Sequence, residues 1–269
     1  MVTALQGVAI LSSVHAMSTA GESTRAMARQ RRATIRLLLY GALGLGLSSI
    51  VVILWLMTYS WKMASAFGVA GCLILMAAMI GVFLLIKHTQ DYASGAIETL
   101  KKREKDALKG ADGEVAVARM LEEIASGRHM LFHDVNTPGG NIDHVLLSER
   151  GRIYLIETKT HHGAVTVENG VLRIDGQLPE KQFIQQVLAN LARLKPKLDR
   201  ITGEDTWVDL LLVFTNASVA RDCRERNIAI INLGFLDTTL AQLDDRRPKV
   251  SLWPHREKIA DLLRGIPQN

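Results

Sequence analysis

Two stretches without a charged side chain, Leu37 to Trp61 and Met63 to Ile86, dominate the sequence, with Lys62 alone between them. Each exceeds the ~20 residues that carry a helix across a hydrocarbon core. A soluble core helix keeps a polar face, whereas these stretches are apolar all round, which suits lipid. The expectation is a transmembrane hairpin with helices at about 37–57 and 64–86. Thr58, Tyr59, Ser60, Trp61 and Lys62 would make its tight turn. Trp55, Tyr59 and Trp61 fall where an interfacial aromatic belt belongs.

The flanks suggest an orientation. Arg25, Arg29, Arg31, Arg32 and Arg36 precede the first stretch, and Lys87, Lys101, Lys102, Arg103 and Lys105 follow the second. Positive flanks stay inside, so both termini are expected in the cytoplasm of an inner-membrane protein. Segment 1–36 would be a basic cytoplasmic lead and 87–109 a polar juxtamembrane helix. The strip Lys101 to Lys109 reads as a solvated face beside anionic headgroups in preference to a nucleic-acid guide. Gly41, Gly44 and Gly46 superficially resemble a dinucleotide loop, but no strand precedes them, so close helix packing is the expectation. No basic lead precedes the short run Val8–Leu11, so no cleaved signal peptide is expected, and Met17 or Met27 are alternative starts.

The net charge of +5 resembles a nucleic-acid signature until it is located. Residues 1–86 hold six of the 32 basic and one of the 27 acidic side chains, so residues 87–269 carry 26 of each sign. The remainder is neutral overall, and its partner cannot be read from bulk charge. Two cysteines, Cys72 and Cys223, exclude a disulfide framework and a four-thiolate zinc site.

Residues 110–269 alternate helical and strand patterns and predict an α/β domain with a mixed sheet flanked by helices. Val117, Met120, Leu121 and Ile124 form a helical stripe. Strands are expected at Asn141–Ser148 and Arg152–Thr158 across a turn at Glu149, Arg150 and Gly151. A hairpin is expected at Val165–Glu168 and Val171–Ile174 across Asn169 and Gly170. Glu180–Asp199 reads as a helix carrying Phe183, Val187, Leu191, Leu194 and Leu198 on one side. Val208–Thr215 reads as a buried strand and Ile228–Asn232 as a further one. Short helices are expected near 235–244 and 255–264.

The chemistry lies on two of these strands. Side chains alternate, so Glu157 and Lys159 project from one face at the end of an apolar strand. The preceding turn can return Asp143 beside Glu157. Two carboxylates then suit a hard divalent cation, with an ammonium close to where water would attack.

Asp143, Glu157 and Lys159 together resemble the PD-(D/E)xK signature of restriction-endonuclease-like nucleases. Residues 110–200 more specifically resemble the nuclease-related domain, NERD. The matching motifs are Gly110 to Glu114 opening a helix, Asn141 to His144, Ile156 to Lys159 followed by Gly163, and Gln186 with Asn190. The resemblance implies a restriction-endonuclease-like fold and hydrolysis of DNA, or RNA, with Mg²⁺ or Mn²⁺. Asp143 and Glu157 would hold the metal, with Glu114 as a third carboxylate at or near it. Lys159 would orient or help deprotonate water, and Gln186 would contact metal-bound water or phosphate. Three carboxylates against one lysine should raise at least one pKa.

Other residues carry less. His161 and His162 read as a solvated strand end. His129 and His133 have helical metal-pair spacing but lie at a strand entry. His144 should face away from Asp143, and Cys223 reads as a structural thiol. No Gly-rich loop with a phosphate-binding lysine occurs. A second reading keeps the fold as a silent nucleic-acid or partner-binding module tethered to the bilayer, which the neutral charge of residues 87–269 favours.

Overall fold

The structure, a computed structural model, describes residues 20–265, without the side chains of residues 60–67, 72 and 75. Val8–Leu11 and Met17 lie outside the described residues, as do the side chains of Trp61, Lys62 and Cys72. Two compact units divide the chain: Ala26–Ala107, and Leu108 onward together with the residues before Ala26.

Helical backbone runs over Glu22–Ala125 with a break at Gly68. It comprises α1 (Glu22–Tyr59) and α2 (Gly68–Ala125), both long and apolar enough to cross a membrane. None of the most apolar window of either helix is buried. Within the helical unit, Arg32 Nε donates to Glu104 Oε1 at 2.8 Å and Arg31 Nη1 to the Arg103 carbonyl at 2.6 Å. These contacts join positions far apart in sequence, so the helices run back along each other. The expected turn at Thr58–Lys62 is helical backbone instead. The break is at Gly68, with φ 59° and ψ −149°, a conformation glycine enters without a Cβ clash. Gly41 and Gly46 line a groove of about 420 Å³ between the helices. A Cβ on Gly41, Gly44 or Gly46 would meet nothing within 4 Å, so these glycines do not serve the close helix contact expected of them.

The second unit is built on a seven-stranded mixed sheet. Its strands are β1 (Met130–Thr137), β2 (Gly140–Leu147), β3 (Ile153–Glu168), β4 (Val171–Ile174), β5 (Val208–Val219), β6 (Arg224–Glu225) and β7 (Ile228–Asn232). The order is β1-β2-β3-β5-β7-β6, with β4 paired to β3. β3, β5 and β7 are parallel, and the other pairs are antiparallel. The α3 helix (Phe183–Thr202) supplies the crossover between β3 and β5. Two short helices, α4 (Leu236–Asp244) and α5 (Arg256–Arg264), follow the sheet.

Side-chain alternation gives the sheet two apolar faces. Leu155, Leu210, Leu212 and Phe214 pack with Val187, Leu194 and Leu198 of α3 and Ile259 of α5. Tyr154, Ile156, Leu211 and Val213 pack with Val117 and Leu121 of α2 and Leu236 and Leu240 of α4. The sheet is therefore the middle layer of three, as the α/β pattern requires. The hairpin at Asn169 and Gly170 forms with φ 51° and 78°, the two positive values a type I′ turn needs. β3 is longer than its expected segment. It runs 16 residues, with a register shift against β5 between Lys159 and His162. His161 and His162 are therefore inside the strand at an irregularity and are no strand end.

Candidate active site

Glu157 and Lys159 leave β3 on the side covered by α3. Lys159 Nζ donates to Glu157 Oε1 at 2.5 Å and to Gln186 Oε1 at 3.2 Å. Gln186 Nε2 donates to the same Glu157 Oε1 at 2.5 Å, and Asn190 Nδ2 to Oε2 at 3.3 Å. Gln186 and Asn190 are one turn apart on α3, so both reach one carboxylate. Glu157 itself is only 1% exposed. Phe183, at the start of α3, presents its ring 5.2 Å from the ammonium.

Asp143 arrives from β2. Its Oδ2 accepts the Thr158 backbone N–H at 2.7 Å, which places it against the peptide that follows Glu157. It keeps some solvent access yet lies deep among protein atoms. Burial first, then the charge of Glu157, push the Asp143 carboxyl well above its ordinary value. Lys159 and the Thr158 N–H oppose that shift, and Glu114 adds to it.

Glu114 comes from the last part of α2. Gly113 before it faces Thr160 so closely that a Cβ would collide with that side chain. The glycine thus lets the helix approach β3. Burial is the largest cause that raises the Glu114 carboxyl to about 7, and the charges of Asp134 and Glu157 add to it. Thr24 Oγ1 donates to Glu114 Oε1 at 3.0 Å and acts in the opposite direction.

Thr24, Ser23 and Asp134 also take part, and no sequence motif marks them. Ser23 donates to Asp134 through its backbone N–H and its hydroxyl, each at 2.8 Å. Asn141 Nδ2 donates to Asp134 Oδ1 at 2.6 Å. Gly21, with φ 69°, abuts Ala111, and Ala20 is buried. The residues just before and at the start of α1 are therefore docked on the acidic cluster. Their separation from Glu114 by 90 positions leaves no local pattern that could have announced them.

The structure thus brings Glu114, Asp143, Glu157, Lys159 and Gln186 into one interacting group. Among the described residues, no cluster of three or more His, Cys, Asp or Glu is arranged to hold a metal ion. The donor chemistry nonetheless fits a hard divalent cation. Asp143 and Glu157 offer oxygen alone, and burial, then the charge of Glu157, raises the Asp143 carboxyl, a shift that a bound cation would oppose.

The remaining histidines belong elsewhere. His133 and His144 meet Nδ1 to Nδ1 at 2.7 Å, buried away from Asp143. His129 Nδ1 accepts the Glu149 N–H at 3.1 Å, so His129 and His133 form no metal pair. The His161 ring lies 5.0 Å from that of Phe183. Burial and then Glu225 push the Cys223 thiol up, away from the reactive thiolate.

No curated protein and no solved structure matches the chain. Residues 109–215 match the family described as the nuclease-related domain. That span includes Glu114, Asp143, Glu157, Lys159 and Gln186 together, and over it the chain carries a nuclease-related domain, NERD.

Proposed function

We propose that this domain is a divalent-cation-dependent phosphodiesterase that cuts DNA, with RNA as the alternative substrate, beside the membrane. Asp143 and Glu157 would hold Mg²⁺ or Mn²⁺. Such a cation lowers the pKa of an attacking water and offsets phosphate charge. Lys159 keeps an ammonium on the same face, where it favours negative charge developing on phosphate oxygens. Gln186 and Asn190 fix the Glu157 carboxylate. Glu114, with its carboxyl at about 7, can take or release a proton near neutral pH. The observation that carries this reading is the convergence of Lys159 and Gln186 on one oxygen of a buried carboxylate, with Asp143 bound beside it.

The apolar helices and their arginine and lysine flanks support an inner-membrane anchor with both termini in the cytoplasm. Cleavage of labelled DNA and RNA by the full chain in detergent tests the enzymatic proposal. Activity should require Mg²⁺ or Mn²⁺ and fall by about 10²-fold or more in Asp143→Ala and in Lys159→Ala. Activity surviving both substitutions would overturn the assignment.

The neutral balance of residues 87–269 supports a second reading, a tethered binding module with little turnover. Calorimetry separates the two. A silent module binds DNA equally well with and without a divalent cation, whereas a catalytic cluster repels phosphate until a cation is present and so adds affinity only then.

A further inference from the structure

A second recess lies where the parallel strands β3, β5 and β7 begin, apart from Glu157 and Lys159 further along β3. It measures about 380 Å³, within the ~300–1,000 Å³ range of ligand pockets. Four arginines line it, Arg152, Arg224, Arg226 and Arg246, against Asp209 and Glu225. Arg152 is buried and already paired with Asp209, 2.6 Å between Nη2 and Oδ2. Arg226 has Glu225 at 3.8 Å. Among the described residues, Arg224 and Arg246 have no carboxylate partner within 4.0 Å. Converging guanidinium groups repel one another, and an anion between them removes that cost. This local excess stands out because residues 87–269 balance to zero.

Trp207 closes the recess. Its indole N–H donates to Asp209 Oδ1 at 3.1 Å, which fixes the ring, and the residue remains 55% exposed. Guanidinium forks suit phosphate oxygens, and an exposed indole offers a stacking face for a base. We propose that this recess binds one nucleotide unit, its phosphate on Arg224 and Arg246 and its base against Trp207. The unit can come from a free nucleotide or from a nucleic-acid strand. The strand case rests on the nuclease reading, while the recess itself does not.

The test is isothermal titration of the full chain in non-ionic detergent with EDTA, so the acidic cluster and any cleavage play no part. The probes are adenosine 5′-monophosphate, inorganic phosphate and a ten-residue oligothymidylate. The paired substitution Arg224→Ala with Arg246→Ala should weaken nucleotide binding about tenfold or more. Trp207→Leu should weaken the nucleotide and leave inorganic phosphate unchanged. The three side chains are exposed, and Arg152 is held by the backbone carbonyl of Arg246, so the fold should survive. Circular dichroism checks this, and single Arg224→Gln serves as a milder second variant. Loss confined to the oligonucleotide identifies the strand as the source, and loss for the monophosphate identifies a free nucleotide. The proposal is overturned if neither the monophosphate nor the oligonucleotide binds, or if both bind the arginine variants as tightly as the natural chain.

Discussion

Lys159 Nζ lies 2.5 Å from Oε1 of Glu157, two residues earlier on β3, and the pair is almost wholly buried, with side chains 12% and 1% exposed. Removing the ammonium leaves a buried carboxylate held only by Gln186 and Asn190. Lys159→Ala should therefore lower cleavage by about 10²-fold or more. It should also destabilise the metal-free protein by ~3 kcal/mol. Urea denaturation beside a cleavage assay checks both.

Asp143 predicts the opposite change in stability. Burial and Glu157 make its ionised form costly in the folded protein. Asp143→Asn removes that charge and retains an oxygen for the Thr158 N–H. At neutral pH without divalent cation, Tm should rise by a few degrees, about the effect of 1 kcal/mol in a domain of this size. With saturating Mg²⁺ the natural chain should gain stability and the variant should not. Scanning calorimetry reads both comparisons.

Acid and neutral pH act on different groups. Glu114 is raised from 4.5 to about 7, so the folded state binds the proton more tightly than the unfolded one. Its contribution is complete below 4.5 and is lost as pH rises through about 7. His133 is lowered from 6.5 to about 4 by burial. Its neutral form is favoured in the fold, so its contribution is present above 6.5 and is lost as pH falls through about 4. Glu114→Gln should flatten the loss on the neutral side and leave the acid side in place. Stability measured by urea at closely spaced pH values tests this.

Thr24 links the start of α1 to the acidic cluster. Thr24→Val removes the hydroxyl that favours ionised Glu114 and should raise that carboxyl further. The pH profile of cleavage should shift to higher pH, while Thr24→Ser should restore it. An unchanged profile in the valine variant would show that Glu114 takes no part in proton transfer.

Much of the sheet was legible because its signals are local. Ile228–Asn232 is a short apolar run, and Asn169 with Gly170 has the positive φ values its hairpin demands. The mixed sheet and the apolar helices likewise follow from periodicity. Glu157 and Lys159 were readable together because alternation alone puts them on one face. Other features depend on distant parts of the chain. β3 continues through His161 and His162 because β5 and β4 extend the pairing. The helical break falls at Gly68, which polarity did not distinguish from the Thr58–Lys62 segment. Asp134 and Thr24 join the cluster through contacts spanning 111 and 90 positions, which no spacing rule encodes.

Calorimetric titration of Mg²⁺ into the full, metal-free chain decides whether Asp143 and Glu157 form a cation site. One cation per chain should bind, with affinity lost in Asp143→Asn and in Glu157→Gln. Absence of binding, or binding untouched by both substitutions, would contradict a metal site built from these carboxylates.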